Sequence, residues 1–162
     1  MRSRQIAVVG WGTDDEALAE LAEEVGRVLA AAGAVVVCGG RGGVMEAAAR
    51  GARAAGGDVI GVLPTESPDD ANPHVSHVVA TGTGYARNLA VVASADAVIA
   101  IGGAWGTLAE IAFARNLDRP VVALESWTVS GRGDMRDAPG IEAADSPAEA
   151  VERALALAAA AT

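Results

Sequence analysis

Short apolar runs rich in Val and Ile recur along the chain. Most are followed by a glycine cluster and then by apolar residues at helical spacing. Gln5–Val9, Ala34–Cys38, Asp58–Leu63, His77–Ala80, Ala97–Ile101 and Val121–Leu124 have the length and composition of strands. Ala97–Ile101 is apolar throughout, as a strand covered on both faces is. Between the strands, Leu18, Leu21, Val25 and Leu29 repeat at helical spacing after Thr13-Asp-Asp-Glu16, a capping-box pattern, and Gly33 closes that helix. Val44–Ala55, Tyr85–Ser94 and Thr107–Asn116 read as further helices, and Glu125–Gly140 as irregular. Ser146-Pro147-Ala-Glu149 starts the last helix, with Pro at its first position inside a capping box. Strands alternating with helices predict an α/β fold. The expected form is a doubly wound, mostly parallel sheet of six or seven strands in a Rossmann-like three-layer α/β/α sandwich, with residues 1–162 as a single domain.

Glycine marks the strand-to-helix junctions at Gly10–Gly12, Gly39–Gly43, Gly82–Gly84 and Gly102–Gly106. In a parallel sheet these turns share the carboxyl edge, where ligands bind at the point of strand-order reversal. The stretch Ala97–Glu110 joins a strand, a glycine turn and a helix start. That is the arrangement in which backbone N–H groups hold a phosphate. Thr107-Leu-Ala-Glu110 also fits a capping box, with Thr107 as the N-cap, so its residues have a structural reading beside the functional one. A dinucleotide site is disfavoured: Gly10-x-Gly12 lacks the third glycine of GxGxxG, because position 15 is Asp.

Composition narrows the chemistry. A net charge of −9 argues against a nucleic-acid or membrane-surface partner. No lysine occurs, which excludes a pyridoxal-phosphate enzyme and disfavours a Walker-type nucleotidase. The one cysteine, Cys38, permits no internal disulfide, and a cytoplasmic location is expected. Asp69, Asp70, His74 and His77 match no usual ligand spacing, so a solvated loop is expected there, with no metal and no resident cofactor.

The stretch Arg87-x8-Asp96-Ala-x-Ile-Ala-x-x-Gly103-x-x-Gly106-Thr107-x-x-Glu110 resembles the core of the LONELY GUY (LOG) family, phosphoribohydrolases of cytokinin nucleotides once misnamed lysine decarboxylases. Gly39-Gly40-x-x-Gly43-Val-Met45 and Val59–Pro64 are similar to further segments of that family, so the resemblance spans about residues 5–125. Gly102 stands where the family has Pro, Ala104 where it has Gly, and Asn88 where it has Lys. These departures resemble a broader short-chain set that includes molybdenum-cofactor carriers, which bind a phosphorylated pterin.

The resemblance implies Glu110 and Arg87 as catalytic residues. It implies Gly39, Gly40, Gly43, Met45, Gly102, Gly103, Gly106 and Thr107 as the phosphate or nucleotide site. Hydrolysis of a nucleoside 5′-monophosphate to free base and ribose 5-phosphate is the expected reaction. Carriage of a phosphorylated heterocycle is the alternative. A homodimer or higher homo-oligomer is implied, with no nucleic acid or membrane. Trp11 and Trp105, set inside glycine turns, are candidates for stacking on the ligand ring.

Overall fold

The computed structural model describes residues 2–161. Its order is β1 (Gln5–Gly10), α1 (Glu16–Ala31), β2 (Val35–Cys38), α2 (Val44–Ala54), β3 (Val59–Leu63), β4 (His77–Ala80), α3 (Arg87–Ala93), β5 (Ala97–Ile101), α4 (Trp105–Asn116), β6 (Val121–Leu124), β7 (Ile141–Ala144) and α5 (Pro147–Ala160). The seven strands form one sheet in the order β4-β3-β2-β1-β5-β6-β7. Every neighbouring pair is parallel. Strand order reverses between β1 and β5, which pair from Ile6 with Ala97 to Gly10 with Ile101.

The central strands β1, β2, β5 and β6 are buried on both faces, with successive side chains pointing opposite ways, whereas the edge strand β4 is largely exposed. Ile6, Val8, Val36, Cys38, Ile99, Ile101, Val122 and Leu124 pack against α1, α2 and α5. Ala7, Val9, Val37, Val98, Ala100 and Val121 pack against α3 and α4 through Val91, Val92, Ile111 and Ala114. Fully burying each Val, Leu or Ile stabilises the fold by about 1.5–3 kcal/mol. The small residues Ala22, Gly26, Ala48, Gly51 and Ala52 are buried on α1 and α2, where the two helices approach closely. No helix among the described residues is long and apolar enough to cross a membrane.

Two local expectations are corrected. The cap of α1 is Asp15, not Thr13: its carboxylate accepts from the Leu18 N–H. Helix α4 starts at Trp105, one turn's fraction earlier than Thr107, and its N-cap is Ala104 with no side-chain cap bond. The segment 125–140 is irregular, as expected, apart from the 3-10 turn Gly133–Met135, and is followed by a seventh strand, β7, at the sheet edge beside β6. The last helix start holds as read. Ser146 accepts from the Glu149 N–H, and Glu149 in turn accepts from Asp145. A single 3-10 turn, Gly84–Ala86, precedes the short α3.

Candidate functional site

A cavity of about 220 Å³ opens where the sheet order reverses, at the carboxyl ends of β1 and β5. Val8, Val9 and Gly10 form its floor, and Arg87, Asn88, Thr107 and Glu110 project into it from α3 and α4. Of the sequence-derived candidates, Gly39, Met45, Arg87, Gly106, Thr107 and Glu110 line this space. Residues from the first, second and fourth glycine junctions thus meet at the end of β1, joined by Arg87 and Asn88 of α3.

Glu110 is the chemically distinctive member. It is 8% exposed. Among the described residues none donates a hydrogen bond to its carboxylate, so it does not reach back to cap α4. Burial pushes its pKa up from 4.5 to about 7, and Arg87 across the cavity holds it from rising further. Desolvation disfavours the charged form and a nearby cation favours it; here desolvation wins.

Arg87 is half-buried. Its Nη1 donates to the Val62 carbonyl at 3.2 Å, while its Nε is buried with no acceptor. Burial lowers the pKa of the guanidinium, and Glu110 opposes that shift. One end of the side chain is therefore tethered to β3 while its other donors remain for a ligand. A Cβ on Gly39 would fall on Arg87 Nη1. Gly39 is thus the seat of the arginine as well as a wall of the cavity. Gly39→Ala is expected to expel the guanidinium. Phosphate-ligand affinity should fall about tenfold or more, with little change in melting temperature. Titration calorimetry beside a thermal melt checks this; unchanged affinity would sink the assignment.

The turn into α4 leaves the first amides of that helix without protein acceptors among the described residues. Gly102 and Gly103 adopt φ of 57° and 108°. A Cβ on Gly103 would strike the Thr107 side chain. The N–H groups of Trp105, Gly106 and Thr107, in the first turn of α4, donate to no protein acceptor among the described residues, while Leu108 is the first to bond back, to Ala104. Free amides and the helix dipole together favour negative charge at this point.

The remaining candidates lie around the cavity. The Gly40 N–H donates to Cys38 Sγ and its carbonyl accepts from Asn72. Gly43, at φ 64°, is the N-cap of α2 and lies against the Trp11 backbone. Gly102 packs on Leu18 and accepts from Ser126 Oγ at 2.6 Å. Trp11 and Trp105 do not line the Arg87–Glu110 cavity. Trp105, 76% exposed, stands 5.3 Å from the Trp127 ring, centroid to centroid.

Two lining residues escaped the sequence reading. Asn88 is 8% exposed, and no protein group hydrogen-bonds its amide among the described residues. Its Nδ2 faces Gly106. Its sequence cues are its place directly after Arg87 and its standing where the LOG family has Lys, yet an α-helical i, i+1 pair ordinarily diverges. Here the two are the first residues of α3, entered from the 3-10 turn Gly84–Ala86, and both line the cavity. Tyr85, almost wholly exposed, stands at the rim.

The family model described as the SLOG cluster4 family matches residues 3–151. The solved structure of the molybdenum cofactor binding protein from Rippkaea orientalis has a TM-score of 0.87 at 32% identity, covering 97% of this chain and 98% of that one. The molybdenum cofactor carrier protein of Chlamydomonas reinhardtii has a TM-score of 0.83 at 32% identity, covering 98% and 99%. A cytokinin riboside 5′-monophosphate phosphoribohydrolase of Mycobacterium tuberculosis is 33% identical over 119 residues, which are 68% of this chain and 64% of that protein.

Proposed function

The chain belongs to the SLOG cluster4 family, and on that premise we propose that it binds a phosphorylated heterocycle in the Arg87–Glu110 cavity and hydrolyses the N-glycosidic bond of a nucleoside 5′-monophosphate there. The observation that carries this reading is Glu110: a buried carboxyl without a protein partner, poised at about 7, beside a cradle of free amides. A general base works best when its pKa is near the working pH.

In this reading the amides of Trp105–Thr107 and the Thr107 hydroxyl hold the 5′-phosphate, and Asn88 adds a neutral donor beside Gly106. The bond between C1′ and the base nitrogen breaks through an oxocarbenium-like centre. The ionised Glu110 carboxylate stabilises that positive charge and takes a proton from the attacking water, the logic that glycosidases use. The hydroxyl adds to C1′, the C1′–N bond breaks with its electron pair going to the base, and the base leaves with the proton that Glu110 took from the water. Arg87 orients the nucleotide with its free N–H groups. The acid limb of kcat/KM should therefore lie near pH 7. The same family reading carries a homodimer, and the exposed Tyr85 and Leu89 at the start of α3 supply apolar surface for it.

A second reading is a carrier of a phosphorylated heterocycle without turnover. The end-to-end likeness to the two molybdenum-cofactor proteins supports it. One assay separates the two. The protein is incubated with a panel of nucleoside 5′-monophosphates, and free base and ribose 5-phosphate are followed by chromatography. Release that vanishes in Glu110→Gln is the expected result. No release from any nucleotide overturns the hydrolase reading, and a retained ligand seen by native mass spectrometry would then establish the carrier.

A further inference from the structure

The connection from β3 to β4 joins two parallel strands without an α-helix. Residues 64–76 instead run past the glycine turn that follows β2, with one 3-10 turn, Pro68–Asp70, on the way. One residue of this loop grips the turn twice. The Asn72 N–H donates to the Gly40 carbonyl at 2.9 Å. Its side-chain Nδ2 donates to the next carbonyl, that of Arg41, also at 2.9 Å. We propose that Asn72 is a positioning residue of the Arg87–Glu110 site, one that fixes the Gly39–Arg41 turn on which the Arg87 guanidinium rests.

Asn72 is itself held rigid. Its Oδ1 accepts from the His74 N–H at 3.0 Å, the short turn that asparagine side chains form with the backbone two residues on. Its carbonyl accepts from the Val75 N–H. Pro73 behind it disfavours a helical backbone at Asn72. Both backbone groups and both side-chain groups of Asn72 are therefore bonded. The other side of the turn is fixed as well. Gly40 stands at φ 71°, and a Cβ there would strike Leu63 of β3. Val75, from the same loop, packs against Gly61 of β3. The Gly40–Arg41 peptide is thus clamped between β3 and the loop. Gly39 precedes it, and Arg87 Nη1 lies against Gly39 while donating to the Val62 carbonyl. Moving the turn therefore moves the seat of the guanidinium. The loop also brings Asp70 to 3.9 Å from Arg41, the other cation that acts on Arg87. This role deepens the proposed function, and it rests on that reading only for the ligand arm of its test.

Asn72→Asp separates building the loop from positioning the turn. Aspartate has the same shape and keeps the acceptor for His74, so the loop's own turn survives, but it has no N–H for the Arg41 carbonyl. Asn72→Ala loses both bonds. The Glu110 carboxyl carbon is followed by NMR through a pH titration of the ligand-free full chain. Arg87 is the charge that restrains this carboxyl, and the nearby Cys38 thiol is held neutral by burial, at about 11. Both variants should titrate about half a pH unit higher than the parent, because the guanidinium loses its seat. In an Arg87→Met background Asn72→Asp should shift nothing further. Calorimetry with ribose 5-phosphate should show binding about tenfold weaker in both variants. All measurements are made at about 0.5 M salt, where the added exposed charge of Asn72→Asp is largely screened. A parent-like Glu110 midpoint in Asn72→Asp overturns the proposal. So does parent-like affinity in that variant, or an effect of the same size with and without Arg87. If the parent does not bind ribose 5-phosphate, the proposed function fails, and the Glu110 midpoint alone decides the role of Asn72.

Discussion

Glu110→Gln is expected to lose turnover by at least about a hundredfold and, at pH 8, to melt higher than the parent. The two effects have one cause. The folded protein holds the Glu110 carboxyl at about 7, whereas its ordinary value is 4.5. Between these values the unfolded chain has released the proton and the folded chain has kept it. Stability then falls as pH rises, because the unfolded state binds fewer protons. The favourable contribution is complete below pH 4.5 and is gone above about pH 7. Carrying one carboxyl between these values corresponds to about 3 kcal/mol. Gln, of the same shape and uncharged, has no such penalty. The parent and the variant should therefore melt together near pH 4. They should separate progressively through pH 4.5–7, reaching roughly 6–12 °C at pH 8 for a chain of this size. A constant difference across pH would sink the claim that Glu110 is a buried ionisable group. A gain in stability on removing a functional residue is the usual sign of a site held in a costly state.

Gly51→Ala should act in the opposite direction to what helix propensity predicts. In an exposed helix, alanine in place of glycine gains about 0.5–1 kcal/mol. Here a Cβ on Gly51 would fall on the Glu23 carbonyl, and one on Gly26 would fall on the Ala48 carbonyl. The two glycines are reciprocal: each helix offers one to the backbone of the other. The obstruction is main chain, so no rotamer change relieves it, and α1 and α2 must move apart. The Arg50–Glu23 ion pair at 2.7 Å beside the contact would be disturbed too. The expected loss is about 3 kcal/mol, read as a lower urea midpoint. A midpoint that rises would show the two helices to be less closely seated than described.

The alternation of strand and helix was legible because its cue is local. Val- and Ile-rich runs ended at glycine turns, and those turns gathered at one edge of a parallel sheet. Gly39, Met45, Arg87, Gly106, Thr107 and Glu110 came from that pattern together with family-like spacing, and they line one cavity. What escaped depended on distant packing. Thr13 and Thr107 carry good capping chemistry, yet Asp15 and Ala104 hold those positions, because the turns leaving β1 and β5 set where each helix begins. β7 is only Ile141–Ala144, mostly half-exposed at the sheet edge, so it shows no apolar run. Trp127 lies in an irregular segment far along the chain from Trp105. Only the pairing of β5 with β6 brings the two rings together.

The reversal of strand order also governs how the protein comes into being. β1 and β5 are neighbours in the sheet, yet the bond from the Gln5 N–H to Asp96 joins residues 91 positions apart. Arg2 closes on the same carboxylate. A contact this remote in sequence bears a large loop-closure entropy before any reward, and such topologies fold slowly. The amino-terminal half can pair β1 with β2 and β3 as it emerges. The Arg87–Glu110 cavity, however, needs residues from the two sides of the reversal. Ligand binding is thus a property of the finished chain, acquired in the same step that docks one half of the sheet on the other.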